Sequence, residues 1–491
     1  MKQIVIIGSG FAGLSTACFL AKAGYQVTVV EKQKTPGGRA RQLIENGFVF
    51  DLGPSWYWMP DVFERFFNQF GKKVSDYYTL ERLDPSYKIY WHDDEMNLPA
   101  NYNQLKNLFE TIEKGSGEQL DKFLAEAEYK YQVGINKLVH KPGQSITEFL
   151  DWDVIKGVFK LDVFTNMKKH IRKFFKHPKL QQLMEFPVLF LGALPQNTPA
   201  LYSLMNYADV KLGTWYPQGG MYKIVEGMYS LAKELGVKFE FNYDVEKINV
   251  ENSIATSLTT HNSPLTINAD VVISAADYHF TETKLLPQNC RTYSDEYWNK
   301  RTMAPSCLLY YVGINKKLIN VLHHSLFFDT NFEIHGKEIY DEPKWPSNPL
   351  FYVSITSVTD KTVAPEGCEN LFFLIPVASG LQGDTEELRD EYFKKIVERF
   401  EEKIGQKISD SIVYKKSYSV SNFVNDYNSF RGNAYGLANT LMQTAVLKPS
   451  CKSKKVKNLF YTGQLTVPGP GVPPSLISGE VVAKEVIKYL K

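Results

Sequence analysis

Short, mostly apolar runs recur along the chain, and each is stopped by glycine or a polar residue. Ile4-Val5-Ile6-Ile7 halts at Gly8-Ser9-Gly10, Val27-Thr28-Val29-Val30 at Glu31, Val271-Val272-Ile273 at Ser274, and Leu459-Phe460-Tyr461 at Thr462-Gly463. Runs this short, bounded by turn residues, predict buried strands. After the first of them, Leu14 to Ala23 reads as a helix closed by Gly24. A second helix is predicted to reach Leu235, followed at Gly236 by the alternating strand Val237 to Phe241, and a last helix runs from about Leu476 to Leu490. The pattern is that of an α/β fold whose strands come from distant parts of the chain.

The punctuation between these elements carries chemistry. Gly8-Ser9-Gly10-Phe11-Ala12-Gly13 is a G-x-G-x-x-G turn between a strand and a helix. Gly8 permits the tight turn, Gly10 lets a pyrophosphate approach the backbone, and Gly13 lets the helix pack on the strand. Glu31 stands eighteen residues after Gly13 at the end of the second strand, where a carboxylate can accept a ribose hydroxyl. Directly afterwards comes a second glycine pair, Gly37-Gly38, with Arg39 beside it. Backbone N–H groups there can form an anion nest, and Arg39 adds a fixed positive charge near the pyrophosphate.

The segment Glu31-Lys32 through Gly38-Arg39-Ala40 resembles the second glycine motif of FAD proteins in the superfamily of amine oxidases, phytoene desaturases and GDP-dissociation inhibitors. Phe48 to Ser55, with Gly53-Pro54-Ser55, matches the segment that returns toward the flavin in that superfamily. The resemblance implies that the Val245 backbone lies near the adenine and that Gly463-Gln464 belong to the cofactor loop. It also implies that Pro473-Pro474-Ser475 open a helix aimed at the flavin pyrimidine, whose N-terminal partial charge favours reduced flavin. Ser475 is expected to be the N-cap, with the prolines stiffening the loop.

Composition narrows the setting. A chain of 491 residues with 44% hydrophobic and 22% charged residues is expected to fold as two or three globular domains. The net charge of +2 gives no global attraction to nucleic acid. The 14% aromatic content fits a large apolar cavity as well as it fits core packing. Five scattered cysteines without a C-x-x-C pair argue against a zinc or disulfide framework and for a reducing cytoplasm. The first apolar run is too short for a signal-peptide core, and no stretch is long enough to span a membrane.

The cofactor domain is expected to combine residues 1–90, 205–280 and 441–491, Rossmann-like and discontinuous. Residues 91–204 and 281–440 would form a mixed α+β substrate domain with a helical, membrane-facing part. Lys168 to Lys179 holds six Lys/Arg in twelve positions around Ile171, Phe174 and Phe175, followed by the apolar run Pro187 to Pro195. Such a helix can lie on anionic lipid, or can pack its apolar stripe into its own domain. The cluster Lys452, Lys454, Lys455 and Lys457 reads as an exposed turn.

Over essentially its full length the chain resembles the bacterial and fungal phytoene desaturase type of carotenoid desaturase. Tyr216 to Met221, Ala364-Pro365-Glu366-Gly367 and Asn433-Ala434-Tyr435-Gly436 match segments of that family beyond the FAD framework. One departure is Val467, which stands where many relatives carry histidine, so no catalytic base is assigned. The resemblance implies a flavoenzyme acting on phytoene or on a later acyclic, hydroxylated or monocyclic carotenoid. A saturated CH2–CH2 unit has no carbonyl to acidify it, so hydride transfer to flavin N5 is expected first and proton loss second. Quinone or oxygen would accept the electrons, and the protein would associate peripherally with the membrane. A carotenoid isomerase, a retinol saturase-like enzyme and an amine oxidase stand as alternatives, as does a non-catalytic lipid carrier of the GDP-dissociation-inhibitor kind.

Overall fold

The computed structural model describes residues 2–149, 161–189, 192–260 and 263–491. Its first layer is a five-stranded, all-parallel sheet in the order Leu459–Tyr461, Val271–Ser274, Gln3–Ile7, Gln26–Glu31, Lys238–Phe241. The four short runs read from the sequence are thus neighbours in space. Ile4, Val5 and Ile6 are fully buried, as strands covered on both faces must be. The first helix, Phe11–Lys22, starts three residues earlier than expected because Gly10 already serves as its N-cap. It lies against the last helix so closely that a Cβ on Gly479 would meet the Ala12 carbonyl oxygen at 2.6 Å.

That last helix spans Val472–Leu490 and begins four residues before the expected start. Ser475 is not its N-cap. The cap position is Gly471, and the Ser475 hydroxyl donates back to the Gly471 carbonyl at 2.7 Å. Pro473 and Pro474 sit in the first turn, where their missing N–H groups cost nothing.

A seven-stranded mixed sheet forms the second body, in the order Ile412–Tyr418, Ser306–Ile314, Glu369–Val377, Phe351–Ser354, His324–Phe327, Tyr87–Tyr90, Glu95–Leu98. The expected boundary at residue 90 therefore falls too late, because the strand Tyr87–Tyr90 already pairs with His324–Phe327. Ser306–Ile314 is buried at every position. Its alternate residues serve two cores: Leu308, Tyr310 and Val312 pack with Phe393 and Ile396 of the helix Glu386–Ile404, while Cys307, Leu309 and Tyr311 face the opposite side. A smaller antiparallel sheet, Val245–Glu251, Ile254–Thr260 and Ser263–Asn268, flanks the cofactor layer.

The basic stretch does not form one lipid-facing helix. A short helix, Met167–Ile171, ends in a turn, and a second helix starts at Pro178. Ile171 and Phe175 are fully buried, so the apolar stripe belongs to the interior. Three of its six cations are held in ion pairs: Lys168 with Glu333 at 2.7 Å, Arg172 with Glu185, and Lys179 with Asp94. Phe190 and Leu191 of the following apolar run lie outside the described residues. No helix among the described residues is long and apolar enough to cross a membrane. All five cysteines are free.

Candidate functional site

One cavity of about 500 Å³ runs from the glycine loops at the ends of the parallel strands to the inner face of the second sheet. Every candidate cofactor residue lines it except Ser9 and Gly13. Those two act from behind. The Ser9 backbone N–H and hydroxyl both donate to Glu31 Oε2, at 2.8 and 2.7 Å, and the Gln33 N–H donates to Oε1 at 2.9 Å. Glu31 is thereby held at the cavity wall. Gly13 sits where a Cβ would come within 2.1 Å of the Gly8 carbonyl oxygen, so helix and loop close only on glycine.

The two glycine loops meet directly. The Gly37 N–H donates to the Ser9 carbonyl at 2.9 Å, and Gly37 adopts φ = 118°, a left-handed conformation that favours glycine. A Cβ on Gly10 would meet nothing within 4 Å, so there is room for a bound group where the backbone N–H groups of the first helix begin. Lys32 lines the wall, but its ammonium donates outward to the Asn425 carbonyl at 2.9 Å.

Arg39 tests whether a dinucleotide fits. Its guanidinium donates to Ser429 Oγ at 2.9 Å and, with the Gln464 amide turned toward it, to that amide oxygen at 3.0 Å. Its Nε is buried without a partner. Burial lowers the Arg39 pKa, while Asp277 nearby raises it. A buried cation with a spare donor beside two anion-binding loops suits a pyrophosphate. Gly53-Pro54-Ser55, Tyr243 to Val245, Gly463-Gln464 and the N-terminal turn Val472 to Ser475 complete the same wall, and the set fits FAD.

The other half of the cavity is different in kind. Trp56, Trp58, Phe186, Phe328 and Phe332 form its walls, and Trp56 stacks on His324 with centroids 4.1 Å apart. The polar groups there are few. Tyr435 bonds Cys307, whose buried thiol is pushed up to about 12. His335 is closed: Nδ1 accepts from the Leu350 N–H at 3.0 Å and Nε2 donates to the Pro376 carbonyl at 2.9 Å. Val467 is buried against Gly143 and is not a lining residue.

Sequence reasoning missed Asp277, Asp426, Tyr427 and Asn428, which line the cofactor end. The Arg39 guanidinium lies over Tyr427 at 5.2 Å, a contact across almost the whole chain that no local pattern announces. The aromatic half was anticipated only as a composition. Away from the cavity, Glu126, Asp162 and His170 converge as metal ligands could. The Lys130 ammonium fills that place, 2.9 Å from Asp162 and 3.3 Å from His170 Nε2.

Comparison with known proteins gives this geometry a lineage. Residues 11–487 match the family model described as flavin containing amine oxidoreductase. The chain is 42% identical over 489 residues to a carotenoid 3,4-desaturase of Haloarcula japonica, covering 99% of this chain and 98% of that one. It is 30% identical over 494 residues to a zeta-carotene-forming phytoene desaturase of Myxococcus xanthus, covering 99% and 94%. Among solved structures it resembles an oxidoreductase from Methanosarcina mazei, with a TM-score of 0.63, 14% identity and coverage of 98% and 100%.

Proposed function

Because the chain belongs to the flavin containing amine oxidoreductase family, we propose that it is an FAD-dependent desaturase that introduces C=C bonds into a carotenoid. The observation that carries this reading is the continuity of the cavity, in which anion-binding loops and an aromatic chamber share one space. The two relatives named as carotenoid desaturases, matched over nearly their whole length, support it.

The bound flavin supplies a two-electron acceptor. The chain's own residues do the rest. With FAD bound, Gly10, Gly38 and Arg39 would hold the pyrophosphate, Glu31 would accept from the ribose, Val245 would serve the adenine, and the helix starting at Val472 would favour negative charge on the reduced flavin. Trp56, Trp58, Phe186 and Phe328 exclude water and align an extended hydrocarbon. A dry apolar wall suits loss of hydride from an unactivated C–H bond, since no carbonyl is present to be polarised.

The hydrocarbon must be drawn from lipid. Phe164 is 85% exposed and Met442 70% exposed. Exposed apolar side chains of this kind would touch the membrane surface. Quinone or oxygen would reoxidise the flavin.

The test is anaerobic bleaching of FAD-loaded protein by liposomes that each carry one carotenoid, from phytoene through lycopene to hydroxylated and monocyclic species. Bleaching coupled to a longer polyene is expected. Bleaching by amines alone, or by none of these substrates despite bound FAD, would overturn the reading.

A further inference from the structure

Desaturation ends with loss of a proton, and the cavity wall offers one route for it. In the second sheet, His324–Phe327 pairs antiparallel with Phe351–Ser354, with His324 opposite Ser354 and Leu326 opposite Tyr352. His324 and Tyr352 are therefore diagonal neighbours on one face, within reach of each other. The Tyr352 hydroxyl lies 2.6 Å from His324 Nδ1. Tyr352, Ser55 and Trp56 line the cavity, whereas His324 is fully buried behind them.

From this arrangement we infer that Tyr352 and His324 form the proton relay of the reaction, Tyr352 touching the substrate and His324 acting through it. The inference rests on the desaturase reading above. Once a hydride has left one carbon, the C–H bond on its neighbour breaks and that electron pair becomes the new C=C bond. The proton goes to Tyr352 Oη as the Tyr352 O–H proton passes to His324 Nδ1. After product release it returns through the same hydroxyl to water.

Three features favour this pair over other polar groups at the site. His335 lines the cavity, but both ring nitrogens are occupied by backbone groups. Tyr435 bonds the Cys307 thiol, which burial keeps protonated. The imidazolium formed at His324 would lie flat on Trp56, with an interplanar angle of 14°, where a ring face stabilises a cation. Burial and neighbouring His323 make His324 a weak base. A weak base is sufficient for a proton beside a carbocation.

The experiment uses FAD-loaded enzyme in carotenoid liposomes, with Tyr352→Phe and His324→Phe, both of which keep the aromatic packing. Flavin bleaching reads the hydride step separately, and product is counted per flavin bleached, so slower bleaching in either variant does not enter the comparison. The fraction of correct product should fall about ten-fold or more, replaced by water-addition products or misplaced double bonds. An unchanged product distribution in Tyr352→Phe would overturn the relay, whereas absent bleaching in the wild type would overturn the desaturase reading instead. Nitrogen NMR of the wild-type protein without flavin gives a readout independent of activity and of variant folding. His324 Nδ1 must be unprotonated and hydrogen-bonded, and a protonated Nδ1 rejects the proposal.

Discussion

The two halves of the cavity are built from different materials. At the cofactor end the wall is largely backbone, with Gly8, Gly10, Gly37 and Gly38 contributing N–H groups and space. At the substrate end it is side chain, with Trp56, Trp58, Phe186 and Phe328 drawn from separate elements. A backbone wall is specified by φ angles and close approach, which tolerate few residues. A side-chain wall is specified by volume, which many apolar residues can fill. The first half should therefore break when one atom is added, and the second should lose only function.

The largest effect is expected at Gly13. In Gly13→Val the new Cβ would overlap the Gly8 carbonyl oxygen, a backbone atom that cannot swing away. A destabilisation of about 3 kcal/mol and loss of flavin absorbance should follow, measured by urea melts and spectra of the purified protein. At Gly336, in the helix Phe332–Tyr340, an added Cβ would meet only the Leu194 side-chain end at 2.6 Å. In Gly336→Leu the strain should be offset by the roughly 1 kcal/mol helix preference over glycine. Flavin content should stay normal while turnover of a long polyene falls about 100-fold, because the chamber is narrowed. If Gly336→Leu loses flavin, or Gly13→Val keeps it, the contrast between the halves is wrong.

The same contrast explains what could be read from the sequence. Gly8, Gly10, Gly13 and Glu31 were legible because a strand, a turn and a helix constrain them within about thirty residues, and the short apolar runs gave four strands of the parallel sheet. Ser475 was misplaced as a cap because Pro473 and Pro474 disguise a first turn as a loop. The basic stretch misled because helical spacing does not reveal that the helix stops at Ile171 or that Glu333, Glu185 and Asp94 pair with three of its six cations. Tyr352 and His324 carried no local signal, since their pairing depends on the register of two strands.

The smallest predicted effects concern pH, and their signs should be opposite in the two halves. Glu480, on the last helix behind the cofactor, is buried, which alone would raise its pKa. Hydrogen bonds from Arg65, at 2.7 and 3.0 Å, and from Lys484 outweigh burial and hold it at about 2. Its folded pKa lies below the unfolded 4.5, so its stabilisation is present above pH 4.5 and lost as pH falls toward 2. Asp209 stands behind the substrate wall, accepting from Tyr87 at 2.7 Å, and burial raises it to about 7. There the contribution is present below the unfolded pKa of 3.8 and lost as pH rises through 7. Glu480→Gln should cost about 2 kcal/mol at pH 7, and that gap should narrow below pH 4.5 and close only at about pH 2. Asp209→Asn should match wild type at pH 5 and exceed it by about 1 kcal/mol at pH 8. Stability curves for both variants that tilt the same way across this range would break the comparison, because the ion-paired Glu480 and the buried, hydroxyl-bonded Asp209 must respond to pH with opposite signs.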